Sequence, residues 1–174
     1  MKTEQSIKNQ TYGLAKSALI MSLVMMATIF LRMPIPLTEG YIHLGDAMVF
    51  LSVLTLKKKD AVLASGIGSA LADILGGFAM WALWTLIIKA SMAMVASSIL
   101  NTGKGRDARL RYITAMTSAG FLMTASYYIA ELIMYGNPPV ALIGVPWNIG
   151  QFAVGIVIAQ SLFKTIKKFN EKEH

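Results

Sequence analysis

Cysteine is absent from the 174 residues, which excludes disulfides, thiol nucleophiles and thiolate metal sites. Charge is scarce as well. Charged residues make up 14% of the chain, against about a quarter in an ordinary soluble domain. Histidine occurs only at His43 and at the terminal His174, too few for a metal centre without thiolates to help. His43 is the one usable base, and no serine stands with it in a hydrolase motif. No phosphate loop of the form G-x-x-x-x-G-K-[ST] is present, since Gly103-Lys104-Gly105 lacks the spacing. No internal repeat is visible. Uphill transport by this chain would therefore need energy from another subunit, and no cofactor and no metal is expected.

What the chain does contain is apolar length. Hydrophobic residues account for 55% and the mean hydropathy is +0.57. A membrane-spanning helix needs about 20 apolar residues, so an integral membrane protein of five or six spans and little else is implied. The runs fall at residues 13–33, 41–56, 61–80, 81–100, 112–135 and 141–163. They predict an all-α, six-transmembrane-helix bundle forming a single membrane domain over 1–174. The first run follows a polar leader and has no small-residue cleavage site, so it reads as a retained helix. Pro34 and Pro36 end it, and Gly76-Gly77 marks the turn between the third and fourth runs.

Six spans place both termini on one side. The basic residues test this. Lys2, Lys8, Lys16, Lys57, Lys58, Lys59, Lys104, Arg106, Arg109, Arg111, Lys164, Lys167, Lys168 and Lys172 all fall on the terminus side, and only Arg32 and Lys89 do not. The positive-inside rule then puts the N and C termini in the cytoplasm. It also reads the net charge of +7 as loop charge, with no nucleic acid implied.

The opposite side is rich in aromatics and proline. All five prolines lie at outer span ends, and Trp81, Trp84 and Trp147 sit in the outer half with Tyr41, Phe78, Tyr127, Tyr128 and Tyr135. An aromatic belt would mark both interfaces. This one-sided set suits a rigid outer vestibule for a small planar ligand.

Charges inside spans are costly and mark candidate sites. Asp73 lies about 9 Å and Lys89 about 12 Å below the outer ends of their helices, counted at the helical rise. These helices are antiparallel neighbours, so an Asp73–Lys89 ion pair is expected, either locking the helices or touching substrate. His43 and Asp46 share a helix face. Glu131 stands one turn beyond Tyr127 and Tyr128. Asn148 and Gln151 form a further pair whose amides serve either interhelical bonds or substrate. Glu39 lies in the first outer loop. The candidate binding set is Glu39, His43, Trp84, Lys89, Tyr128, Glu131, Asn148 and Gln151, with Asp46, Asp73 and Lys89 as ion-pair candidates. Small residues at Ala64, Gly68, Ala72 and Gly76 allow close helix packing. A second small face on the first span, Ala15, Ala18 and Ser22, is a candidate external docking surface.

The segments GYIHLGDAMVFL at 40–51, GIGSALADILGG at 66–77 and WALWTLIIKA at 81–90, with the small face of the first span, resemble the substrate-binding S components of energy-coupling factor (ECF) transporters. The likeness covers nearly the whole chain and is greatest to the riboflavin, hydroxymethylpyrimidine and pyridoxine-type branch. It implies a vitamin pocket near the outer surface, formed by the loop after the first span and by the fourth to sixth spans. It also implies docking of the first helix on a transmembrane coupling subunit T, which carries two cytoplasmic ABC ATPases, and toppling within the membrane lipid. The expected activity is capture of a small vitamin or precursor, pyridoxine-type or hydroxymethylpyrimidine, at the bacterial cell membrane. Riboflavin and pantothenate are the alternatives. A proton-coupled transporter using Glu131 or Asp73, or a small membrane enzyme, are readings of another class. The scattered single acids do not form the paired constellation an enzyme needs.

Overall fold

A computed structural model of the chain describes residues 2–38, 40–102 and 108–170, with side chains over 4–38, 40–102 and 110–165. In chain order it comprises α1 (Lys2–Phe30), β1 (Arg32–Pro34), β2 (Tyr41–His43), α2 (Gly45–Thr55), α3 (Lys58–Leu75), α4 (Ala82–Thr102), α5 (Ala108–Tyr135) and α6 (Pro138–Asn170). A 3-10 turn at Ala79–Trp81 leads into α4.

The predicted helical bundle is present, with one difference. The second apolar run does not begin as helix. Tyr41–His43 pairs antiparallel with Arg32–Pro34, matching Arg32 to His43 and Pro34 to Tyr41. Pro34 and Pro36 hold the preceding segment extended. Leu37 takes a left-handed φ of 64°, and the Ile35 N–H donates to the Gly40 carbonyl at 3.0 Å, closing the hairpin loop. Only 11 residues remain for α2, a rise of about 16 Å, far short of a ~30 Å bilayer core. By length and composition, three helical stretches among the described residues are sufficient to cross a membrane: Glu4–Phe30, Ala79–Thr102 and Pro138–Thr165.

The turn at Gly76-Gly77 is as expected. Gly76 caps α3, and Gly77 adopts φ +86°, a backbone that side chains rarely tolerate. Helix α3 lies between α1 and α4, and glycine sets its distance from α1. A Cβ on Gly68 would stand 2.7 Å from the Met21 carbonyl oxygen. Side-chain bonds define the two ends of the bundle. Lys16 Nζ donates to the Thr55 carbonyl at 2.8 Å and Lys58 Nζ to Ser98 at 2.9 Å, tying the middle of α1 to the end of α2 and the start of α3 to the end of α4. At the other end Arg32 donates to the Gly76 carbonyl at 2.9 Å, tying the hairpin to the α3–α4 turn.

Phe50, Met92, Met116 and Met123 fill the core. The outside is also apolar: Leu14, Leu19, Leu23, Met26 and Phe30 of α1 are all exposed. A surface of this kind fits hydrocarbon solvent rather than water. Helix α1 turns Ile20, Val24 and Thr28 into the bundle, while Ala15, Ala18 and Ser22 face outward.

Candidate functional site

Three helical columns and the hairpin meet at the hairpin end. On α4 and its entry turn, Trp81, Thr85 and Lys89 recur every four residues and are all buried. On α5 the column is Met123, Tyr127 and Glu131. On α6 it is Gly144, Asn148, Gln151 and Gly155. Such spacing keeps side chains on one helix face. Between these columns, the end of α3 and the hairpin lies a small cavity. Its walls include Tyr41 and His43 from β2, Asp73 from α3, Trp81 and Thr85, Tyr127 and Glu131, and Asn148 and Gln151.

Beneath it runs a buried polar network. Lys89 Nζ forms an ion pair with Asp46 Oδ1 and also faces the Met123 sulfur. The second Asp46 oxygen accepts from Gln151 Nε2 at 2.7 Å. Gln151 Oε1 accepts the backbone N–H of His43 at 2.8 Å. This amide has one orientation only, because a carboxylate can only accept and an N–H can only donate. Gly155 makes the contact between α6 and α2 possible, since a Cβ there would stand 3.2 Å from Asp46 Cβ. One glutamine thus joins α6, the start of α2 and the hairpin.

The hairpin is held on its other side by Tyr41, whose phenol donates to Asp73 Oδ1. The Arg32 guanidinium lies 5.8 Å from the Tyr41 ring centre and 5.1 Å from that of Phe78. His43 Nδ1 accepts the Gly45 N–H at 2.9 Å, which leaves its proton on Nε2.

The structure brings together four of the predicted binding residues, His43, Glu131, Asn148 and Gln151, with the ion-pair candidate Asp73, in the wall of one cavity. The expected Asp73–Lys89 pair is corrected. Lys89 pairs with Asp46, and Asp73 instead takes the Tyr41 phenol. Lys89 lies below the cavity, 5.3 Å from the Tyr127 ring centre, and is not part of its wall. Trp84 and Tyr128 are half-buried and also outside the wall; Trp81 and Tyr127 occupy the equivalent places. Glu39 lies outside the described residues. Thr85 escaped the sequence reading, although counting back four from the buried Lys89 reaches it, and a further four reaches Trp81.

Three buried polar atoms around the cavity have no hydrogen-bond partner among the described residues: Trp81 Nε1, Glu131 Oε2 and Asp73 Oδ2. Thr85, which accepts from the Tyr127 phenol at 3.3 Å, lies beside Asp73 and interacts with it. Unpaired buried donors and acceptors at a cavity are what a polar ligand would satisfy. Among the described residues no group of three metal-ligating side chains occurs.

A helical protein with an apolar exterior and a small polar cavity at one end is a membrane-embedded binder of small molecules. The sequence matches the model of ECF-type riboflavin transporter S components over residues 8–168, and the chain belongs to that family. An uncharacterized protein of Pyrococcus woesei is 32% identical over 145 residues, covering 83% of this chain and 95% of that protein. The thiamine precursor transporter HmpT of Lactococcus lactis is 29% identical over 136 residues, covering 78% of this chain and 75% of HmpT. The solved S component of a bacterial ECF transporter has the same fold, with a TM-score of 0.76 at 19% identity, over 92% of this chain and 98% of that one. The chain is a multi-pass membrane protein and the substrate-binding S component of an ECF vitamin transporter.

Proposed function

We propose that this S component captures a vitamin precursor of hydroxymethylpyrimidine or pyridoxine type in the hairpin-end cavity and delivers it for ATP-driven uptake. The observation that carries this is the cavity itself. Its walls pair the flat rings of Trp81 and Tyr127 with unpaired polar atoms, the mix of aromatic faces and a few placed polar groups that small-molecule sites use. The likeness to HmpT, a thiamine precursor transporter, supports the same class. Riboflavin is the second reading, favoured by the description of the matching family; pantothenate is a third.

In this reading all six helices cross or enter the bacterial plasma membrane, with α2 completing its crossing through the hairpin. Both termini are cytoplasmic, as the one-sided lysines and arginines favour, and the cavity opens outward. The partners are the transmembrane coupling subunit T and two cytoplasmic ABC ATPases. The outward face of Ala15, Ala18 and Ser22, free of packing within the bundle, is the docking surface toward T. Asp46 and Lys89 hold the floor of the site, and Glu39 belongs to its outer loop.

The test is native mass spectrometry of the detergent-purified chain for a co-purified ligand, followed by titration with the pyrimidine, pyridoxine, riboflavin and pantothenate candidates. One of the first two should bind tightly without ATP. Selective binding of riboflavin or pantothenate would replace the proposed ligand.

A further inference from the structure

The ligand class can be narrowed from the bonding that the empty cavity leaves undone, taking the capture reading above as its basis. Glu131 is 3% exposed, and its buried Oε2 has no hydrogen-bond partner among the described residues. The fold makes room for this group rather than for a partner. A Cβ on Gly144 of α6 would lie 2.8 Å from both Glu131 oxygens, and one on Gly40 would lie 3.7 Å from Oε1. Glycine on each side therefore leaves the carboxyl flanked by backbone. Asp73, the other acid in the wall, is engaged by Tyr41 and accompanied by Thr85. Among the described residues the cavity wall contains no lysine or arginine, and Lys89 beneath is committed to Asp46. Among the buried donors of the described wall residues, Trp81 Nε1, at 4% exposure, has no partner and complements these acids.

We infer that Glu131 and Trp81 select a nitrogen heteroaromatic carrying an amino group. The amine donates to the Glu131 carboxylate and an unprotonated ring nitrogen accepts from the Trp81 N–H. A buried acceptor left unpaired is costly, and a charge-assisted bond is about twice as strong as a neutral one. Discrimination follows against a ligand that presents a carbonyl there, which cannot donate, and against a neutral hydroxyl where the amine is an ammonium, which adds a second charge to the bond. Substituted aminopyrimidines and aminomethylpyridines meet the requirement. A ligand presenting only carbonyl oxygens to Glu131 does not.

The experiment uses the full chain in detergent and two matched pairs: pyridoxamine against pyridoxine, and the 4-amino against the 4-hydroxy form of 5-hydroxymethyl-2-methylpyrimidine. Riboflavin and pantothenate are included. In wild type the amino member of at least one pair should bind about 30-fold more tightly than its partner, the scale of one charge-assisted bond. Glu131→Gln should abolish that preference. The empty Glu131→Gln protein should melt no lower than wild type, because the buried Oε2 has no donor among the described residues to lose. Equal binding within both pairs, a preference that survives Glu131→Gln, or a lower melting temperature of the empty variant overturns the inference while leaving vitamin capture standing. If the folded wild type binds no member of the panel, both readings fall together. The wild-type comparison needs no variant, so misfolding of Glu131→Gln does not protect the proposal.

Discussion

Lys89 shows how a single buried side chain organises this molecule. A lysine with no exposure must be paired, because an isolated charge in a membrane bundle is prohibitively costly. Its partner is Asp46, and Asp46 in turn fixes Gln151 and through it the hairpin. Lys89→Met should therefore cost about 3–5 kcal/mol by stranding the Asp46 carboxylate. The double variant Asp46→Asn/Lys89→Met should recover most of the loss. Thermal unfolding of the four members of this cycle checks it, and additive losses would contradict the pairing. The sequence made both charges conspicuous but misjudged who meets whom. Depth along a helix can be counted from a turn, whereas rotation about the axis cannot. Trp84 illustrates the same limit. It lies five residues from Lys89, a rotation of about 140° at 100° per residue, so it cannot share the inward stripe that carries Thr85 and Trp81.

At the scale of the element, glycine positions decide which helices touch. Gly68 brings α3 against the Met21 carbonyl, at 2.7 Å from where a Cβ would stand, whereas nothing lies within 4 Å of a Cβ on Gly13. Gly68→Leu should separate α1 from α3 and destabilise the bundle by about 1–3 kcal/mol. Gly13→Ala should be neutral or stabilising by up to about 1 kcal/mol. Melting temperatures of the two purified variants separate the cases, and equal effects would remove the argument. The opposite face of α1 makes a functional prediction. Ala18 faces outward, so Ala18→Trp should leave ligand affinity intact while abolishing co-purification with the coupling subunit and ATPases. Affinity and pull-down measured on one preparation decide this; joint loss would mean that the face packs within the S component. The helices, their order and the Gly76-Gly77 turn were legible because apolar length and glycine are local signals. The hairpin was not. Tyr41-Ile42-His43 continues the apolar run without a break, and its strand character arises from pairing with Arg32–Pro34, a partner that no local pattern announces.

For the whole molecule, the arrangement divides labour between two ends. One end gathers lysines around the middle of α1, the start of α3 and the ends of α2 and α4. The other closes a cavity under a hairpin tied to α3 by Tyr41 and Arg32 and to α6 by Gln151. The sequence located this second end through its one-sided aromatics and acids, and the members of the cavity wall were partly legible for the same reason. His43, Glu131, Asn148 and Gln151 stood out as polar groups in apolar surroundings. Tyr41, Trp81 and Tyr127 were legible only as members of the outer aromatic set and not as individual wall residues, because aromatics near a membrane interface also have an ordinary explanation there. The central claim is that the chain alone is a complete binding module whose site is the hairpin-end cavity. Isothermal titration of the purified protein, without ATP or partner subunits, tests it most directly. The candidate vitamin precursor should bind one to one, with Kd on the order of 10 nM, about −11 kcal/mol. Filling the cavity from its rim with Asn148→Trp should weaken binding at least a hundredfold in a protein that still melts cooperatively. Unchanged affinity in that folded variant would contradict the account.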